Sequence, residues 1–289
     1  MRAVRRRLTA ATVGIVLALA AGACGGSSQS STDVVARAAA DTARAQGYRM
    51  SGTITISSPV SGVTAMGLTG TFDRTHSRAK LSTLVQAGNH RVQTAELVSK
   101  LAVYMGASVL PGGTRQSGGK PWLKLDLSHA VGPAGVTSLP TATDPTQFVD
   151  YLRAVSSAAG SKRTQGVQGV PTAHYTATID LDRYPGLAPA PARPAVQRSV
   201  TTLESSLGSH KLPIEVWIDA HGLVRQISVN FGECVARTRF QFAMTLELYD
   251  FGPQSTPAIP ADKTVYDLTP LISKALAHAK LGCTAKPAG

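Results

Sequence analysis

The sequence is poor in charged residues, in aromatic residues and in cysteine. Charged side chains make up 16% of its 289 residues and hydrophobic ones 43%, which excludes a largely disordered chain and a long coiled coil. Aromatic residues account for 5%, and no dense run of Lys and Arg is interleaved with them. A nucleic-acid partner is therefore not expected.

The sequence also lacks the motifs of the common enzyme classes. Its seven histidines show no HxxxH or HxxEH spacing, and there is no GxSxG, SxxK, GxxxxGK[ST] or helix-opening GxGxxG. Asp180 and Asp182 lie two residues apart near a predicted strand end, where solvated carboxylates are more common than catalytic or calcium-binding ones. We therefore expect a protein that is not an enzyme and that holds no metal and no cofactor.

The N-terminal segment has the pattern of an export signal. Four arginines precede an apolar run from Leu8 to Ala23, which is short for a permanent membrane span and suits a cleaved signal peptide over residues 1–23. Its removal would lower the formal net charge from +12 to +8. The residues before Cys24 resemble the lipobox of bacterial lipoproteins, although Ala21 stands where Leu, Val or Ile is usual. The alternative is an ordinary secreted protein cleaved after Ala23.

The Gly- and Ser-rich residues 24–32 predict a flexible tether between a lipidated Cys24 and a folded domain over residues 33–283, with a short tail at 284–289. Lipidation would anchor the protein at the outer face of the cell membrane. It would also leave Cys234 and Cys283 as an even pair in an oxidising compartment, where a disulfide is expected. Two free thiols are the alternative.

Hydrophobic periodicity predicts an α+β domain built on one strongly curved antiparallel sheet. Residues 48–57 and 237–250 alternate apolar and polar side chains over their whole length, which is the pattern of half-buried strands. Helices are predicted at 33–46, at 196–207 and from 269 onward. We also expect a helix from Asp144 to Gly160 and a junction between two strands at Pro171.

Several segments, in order, resemble the actinobacterial LppX/LprG lipoproteins, which share the LolA-like fold. They are YRMSGT at 48–53, TGTFD at 69–73, GKPWLKL at 119–125, GVPTAHY at 169–175, and LPIEVWID at 212–219 followed by GLVR at 222–225. The resemblance implies an open β half-barrel whose concave face is closed off by helices. It also implies an apolar cavity that binds or transfers acylated lipids or glycolipids.

The predicted lining of this cavity comes from two alternating strands. It consists of Met50, Ile54, Ile56, Phe240, Phe242, Met244 and Leu246. Adaptable Met and aromatic side chains suit acyl chains of different shapes. The same stripe packed on the helices at 196–207 and 271–276 would instead be a collapsed core, and periodicity does not distinguish the two.

The leading functional hypothesis is a membrane-anchored extracytoplasmic lipoprotein that binds or transfers an acyl lipid or glycolipid. The alternative is an envelope sensor or interaction module that binds a membrane regulatory protein and transfers no lipid. The charge of +8 expected after cleavage favours contact with anionic headgroups under either hypothesis.

Overall fold

The computed structural model describes residues 30–60, 62–100, 102–110, 112–126, 147–235 and 238–277. The predicted signal peptide, Cys24, Cys283 and the C-terminal tail lie outside these ranges. Cys234 lies within them, but only its main chain is described.

Among the described residues, twelve strands form one sheet, which consists of two meanders and a short edge strand. The first meander contains β1 (Gly47–Ser58), β2 (Gly62–Asp73), β3 (Arg78–Ala87), β4 (His90–Ser99), β5 (Ala102–Gly106) and β6 (Trp122–Asp126). The second contains β7 (Val155–Val167), β8 (Val170–Asp180), β9 (Lys211–Asp219), β10 (Val224–Val235) and β11 (Thr238–Tyr249). Pairing of β1 with β11 joins the two meanders, and β12 (Val265–Asp267) pairs with β6.

The sheet is open and strongly curved, as the sequence predicts, and the fold class is α+β. Along β11, buried residues alternate with more exposed ones, because successive side chains of a strand point to opposite faces. The register places Met244 opposite Ile54 and Phe242 opposite Ile56. We call the face that carries these four residues the concave face, and the other the convex face.

Five helices accompany the sheet in the described residues. They are α1 (Ser31–Arg44), α2 (Gln147–Tyr151), α3 (Tyr184–Leu187), α4 (Arg193–Leu207) and α5 (Thr269–Ala277). The hydroxyl of Ser30 caps α1 by accepting a hydrogen bond from the Asp33 amide at 3.1 Å, which satisfies one of the free amides of its first turn. Helix α4 ends at Gly208, which adopts the left-handed conformation with φ of 67°.

The helices cover mainly the second meander. Helix α1 packs against β7 and also contacts α2, while α4 packs against β10. Their buried side chains share one core with the concave face, for example Val35 of α1 and Leu203 of α4. Helix α5 contacts β6 instead, and its Leu271 is 61% exposed, so the predicted packing of 271–276 on the concave stripe is not seen at this residue.

Two expectations from the sequence are wrong in detail. The helix predicted up to Gly160 ends at Tyr151, and β7 begins at Val155, which pairs with Ile179 of β8. This long-range pairing overrides the local helical spacing. Pro171 lies within β8, and the turn before it is made by Gln168 and Gly169, both with positive φ. The sheet is mostly antiparallel, as predicted, and β12 runs parallel to β6.

Candidate functional site

The seven residues predicted to line a cavity lie on one face of two neighbouring strands. Five of them are at most 3% exposed, namely Met50, Ile54, Phe242, Met244 and Leu246. The other two, Ile56 and Phe240, are half-buried. The structure therefore brings the stripe together, and its deep part is packed: the ring of Phe242 stacks on that of Phe231 with centroids 4.8 Å apart.

Exposure of the concave face increases toward one end of the sheet. At this end lie the β1–β2 and β3–β4 hairpin tips and the first residues of β11. Ile56, Met66 and Phe240 are half-buried there, and Val92 is 39% exposed. We call these four residues the rim. On β1 and β11 the concave face thus carries apolar side chains from the buried core to this rim.

Methionine is concentrated on the concave face. The sequence has five methionines, and the four that follow Met1 are all at concave positions of the sheet. Met66 lies opposite Ile54, and Met105 lies opposite Leu123 and Glu96. Met50 and Met244 lie deeper, on the joined strands β1 and β11. Because the thioether chain is unbranched and polarizable, these side chains can fill a gap or leave one.

A polar group interrupts the apolar concave face on β3 and β4. Thr83 lies opposite Thr94, and Glu96 lies between Leu81 of β3 and Met105 of β5. Glu96 is 9% exposed and Thr94 is 7% exposed. Burial raises the pKa of the Glu96 carboxyl, although a hydrogen bond from the Thr83 hydroxyl partly opposes this rise.

Two grooves among the described residues lie on the convex face. One, of about 470 Å³, crosses β7 to β10; the other, of about 290 Å³, crosses β1, β2 and β11. Both are lined mostly by small and hydroxyl-bearing residues, with Glu215 in the first and Glu247 in the second. Neither groove reaches the rim residues.

The described ion-pair clusters do not form a catalytic relay. The Thr256 hydroxyl donates to Asp73, and Nδ1 of His76 lies 2.7 Å from the same carboxylate oxygen. The same Nδ1 lies 3.1 Å from the Thr256 hydroxyl, whereas a serine-type relay has the hydroxyl and the carboxylate on opposite nitrogens of the imidazole. The hydrogen bond from Thr256 is the main cause that lowers the pKa of Asp73.

A carboxylate–imidazole cluster joins the end of β8 to α4. Nδ1 of His210 lies 3.2 Å from Glu204 and 3.4 Å from Asp182, and these side-chain atoms are near enough to one another to hold a metal ion. A hydrogen bond with Glu204 and the negative charge of Asp182 raise the pKa of His210. Asp180, in contrast, pairs with Lys211 at 2.5 Å.

The sequence did not indicate Glu96 as a site residue. Around Glu96 its strand is buried on both faces, because the next residue, Leu97, on the convex side, packs with Tyr104 and Val265. In a strand with one apolar and one polar face, a Glu on the apolar face stands out in the sequence. Where both faces are buried, as around Glu96, the sequence gives no such signal.

The comparisons with known proteins give weak likenesses. No family model and no curated protein matches the chain. Among solved structures, MucB in complex with MucA(peri) is similar at 10% identity and a TM-score of 0.28, over 81% of this chain and 58% of the other. The LolA superfamily protein NE2245 from Nitrosomonas europaea is similar at 8% identity and a TM-score of 0.29, over 79% and 95%.

A third solved structure is a putative outer membrane lipoprotein-sorting protein domain from Vibrio parahaemolyticus, at 9% identity and a TM-score of 0.28, over 80% of this chain and 94% of that one. Similarities of this size assign neither a family nor a function. In the part of the chain that the structure describes, no helix has the length and hydrophobicity that a membrane crossing requires.

Proposed function

We propose that the protein is an extracytoplasmic lipoprotein that binds an acyl lipid or glycolipid on the concave face of its half-barrel and passes it on. In this proposal Cys24 carries the membrane anchor. The acyl chain enters at the rim and lies along the methionine-bearing stripe between the two meanders. The observation that supports this most directly is the placement of all four methionines after Met1 on the concave face.

The packed state of the deep stripe is compatible with this role. Met50 and Met244 are buried in the same core as Ile54, and their side chains can change rotamer to admit a chain of methylenes. Burial of one methylene contributes about 0.8 kcal/mol, so a sixteen-carbon chain gains on the order of 10 kcal/mol before the costs of binding. That gain is large enough to displace flexible side chains.

A second candidate function is an interaction module that binds a membrane protein and carries no lipid. Two observations favour it: the deep stripe is packed, and both grooves described above lie on the convex face. In this case the concave face would serve only as a core. The presence or absence of bound lipid therefore separates the two functions.

The decisive experiment is native mass spectrometry of the full chain purified from its own membrane, with organic extraction of the same sample. We expect acyl lipid in near-stoichiometric amount. A Met66→Trp variant, which places a bulky ring in the rim, should lower the bound lipid several-fold. Val63→Trp is the matched control, because Val63 lies on the same strand, is 58% exposed and faces the convex side.

Two results would count against the carrier proposal. One is wild-type protein without lipid, which would favour the interaction module. The other is an equal lipid content in the two tryptophan variants, which would place any bound lipid away from the rim and the concave face.

A further inference from the structure

The carboxyl of Glu96 lies buried on the concave face without a cationic partner. Its cross-strand neighbours at this level are Leu81 and Met105, and none of the ion pairs recorded among the described residues includes it. A carboxylate in apolar surroundings is unfavourable unless it is paired or protonated. A residue that carries such a cost without a cationic partner is a candidate for ligand binding.

The position of Glu96 along β4 relates it to the rim. Val92, Thr94, Glu96 and Val98 follow one another on the concave face of this strand, with Val92 at the rim. At about 3.3 Å per residue, Glu96 lies about 13 Å from Val92 and Thr94 about 7 Å. A ligand that enters at the rim would therefore meet apolar side chains first, then this polar group, then apolar side chains again.

Three side chains make up the polar group, which we call the polar island: Thr83, Thr94 and Glu96. The raised pKa of Glu96 favours the neutral carboxyl, which has an O–H to donate, and the two threonines supply hydroxyls. No positive charge lies among the cross-strand partners of these residues, Leu68, Leu81 and Met105, or at the next concave positions toward the rim, Val85 and Val92. An anion would gain no compensating charge there.

We propose that the polar island binds an uncharged hydrogen-bond acceptor of the lipid, such as an ester carbonyl buried part-way along its chains, and so selects acyl esters over free fatty acids. The inference rests on the proposed function, because it assigns a specificity to the same concave face. In it, the Glu96 O–H donates to the carbonyl oxygen, while Thr83 continues to donate to Glu96.

The test compares three pyrene-labelled probes delivered from the same detergent micelles to the full-length chain. They are a diacylglycerol, a fatty acid and an alkylpyrene without polar atoms. We expect wild-type protein to bind the diacylglycerol at least tenfold more tightly than the fatty acid. Glu96→Leu should weaken diacylglycerol binding about tenfold, the loss expected for one buried hydrogen bond, and leave alkylpyrene binding within twofold.

Two further variants distinguish a loss of binding from a loss of folding. Glu96→Gln retains an uncharged donor and should bind the diacylglycerol within about threefold of wild type, whereas Thr83→Val should weaken it. Glu96→Leu should also unfold at or above the wild-type temperature, because replacing a buried unpaired carboxyl by an apolar side chain relieves its desolvation. Glu247→Gln, on the convex face, is the control that should change nothing.

The outcomes separate this inference from the proposed function. Equal diacylglycerol binding by wild type and Glu96→Leu, with alkylpyrene bound by both, overturns the inference and leaves the lipid-binding function standing. Wild-type protein that binds none of the three probes overturns both.

Discussion

At the scale of single residues, Asp219 shows how one carboxylate fixes a turn of the sheet. It accepts hydrogen bonds from the amides of His221 and Leu223, each at 2.9 Å, and from Nε of Arg225 at 2.6 Å. Its side chain is 1% exposed. Burial alone would raise the pKa of Asp219, but the amide of Leu223 and the guanidinium of Arg225 outweigh it and lower the pKa.

We expect Asp219→Asn to lower the free energy of unfolding at pH 7 by about 2–3 kcal/mol, because the charge-assisted hydrogen bonds at the β9–β10 turn are lost. Asp250→Asn is the matched control, because Asp250 pairs with Arg49 at the surface, where both side chains are more than half exposed. Loss of this ion pair should lower the free energy of unfolding by less than about 0.5 kcal/mol. Urea denaturation of both variants measures the difference.

The same pair of variants has an expected pH dependence. Because the folded-state pKa of Asp219 lies below its ordinary value of 3.8, its contribution is fully present above that value and is lost as the pH falls through the folded-state pKa. The difference in the free energy of unfolding between wild type and Asp219→Asn should therefore become smaller at acidic pH. A difference in the free energy of unfolding that grows at acidic pH would contradict this role of Asp219. So would an Asp219→Asn variant that is as stable as Asp250→Asn.

Single residues also show which parts of the site were predictable. The stripe from Met50 to Ile56 could be identified because its strand has one buried face, so the alternation is visible in the sequence. Glu96 could not, since the end of its strand, from Glu96 to Val98, is buried on both faces. Asp219 could be singled out only as part of the segments that resemble the LppX/LprG lipoproteins, whereas its three hydrogen bonds depend on the turn geometry.

At the scale of elements, long strands with one exposed face were predictable and elements defined by distant partners were not. Strands β1 and β11 match their predicted ranges within a residue or two. The segment after Tyr151 has helical spacing, but Val155 pairs with Ile179 across the sheet, and that pairing decides its structure. Strand β12 has three residues, too few for any period to be read from the sequence.

The predicted disulfide belongs to this scale because it would join two elements. Cys234 lies at the end of β10, and Cys283 follows α5 by six residues. A bond between them would close a loop of 49 residues, which in the chain-entropy treatment stabilises the fold by about 4 kcal/mol. We expect Cys283→Ser to lower the free energy of unfolding by up to this amount, with no further loss when reductant is added.

Peptide mapping under non-reducing conditions gives the direct measurement, and a fragment that contains both cysteines is the expected result. Cys24→Ser is the control, since a residue outside the predicted folded domain should leave unfolding unchanged. Alkylation of both Cys234 and Cys283 without reductant would show two free thiols instead and would remove this link between the sheet and the C-terminal segment.

At the scale of the whole molecule, the tether limits where a bound lipid can go. If Cys24 carries the anchor, five residues separate it from Ser30, the cap of α1, and a fully extended chain from Cys24 to Ser30 spans at most about 20 Å. An anchored domain would then exchange lipid with its own membrane or with a partner beside it. Only a released form could carry lipid farther across the envelope.

Cys24→Ala therefore tests both the anchor and the range of transfer. We expect the variant to move from the membrane to the soluble fraction and to lack the mass of the lipid adduct. The reason is that the substitution removes the cysteine sulfur to which the lipid would be attached. Its binding of the pyrene-labelled diacylglycerol should stay within about twofold of wild type, since Cys24 lies outside the predicted folded domain. Cys234→Ser should remain in the membrane fraction. Wild-type protein that is already soluble and unmodified at Cys24 would instead favour the secreted form cleaved after Ala23, and such a carrier would be free to move between membranes.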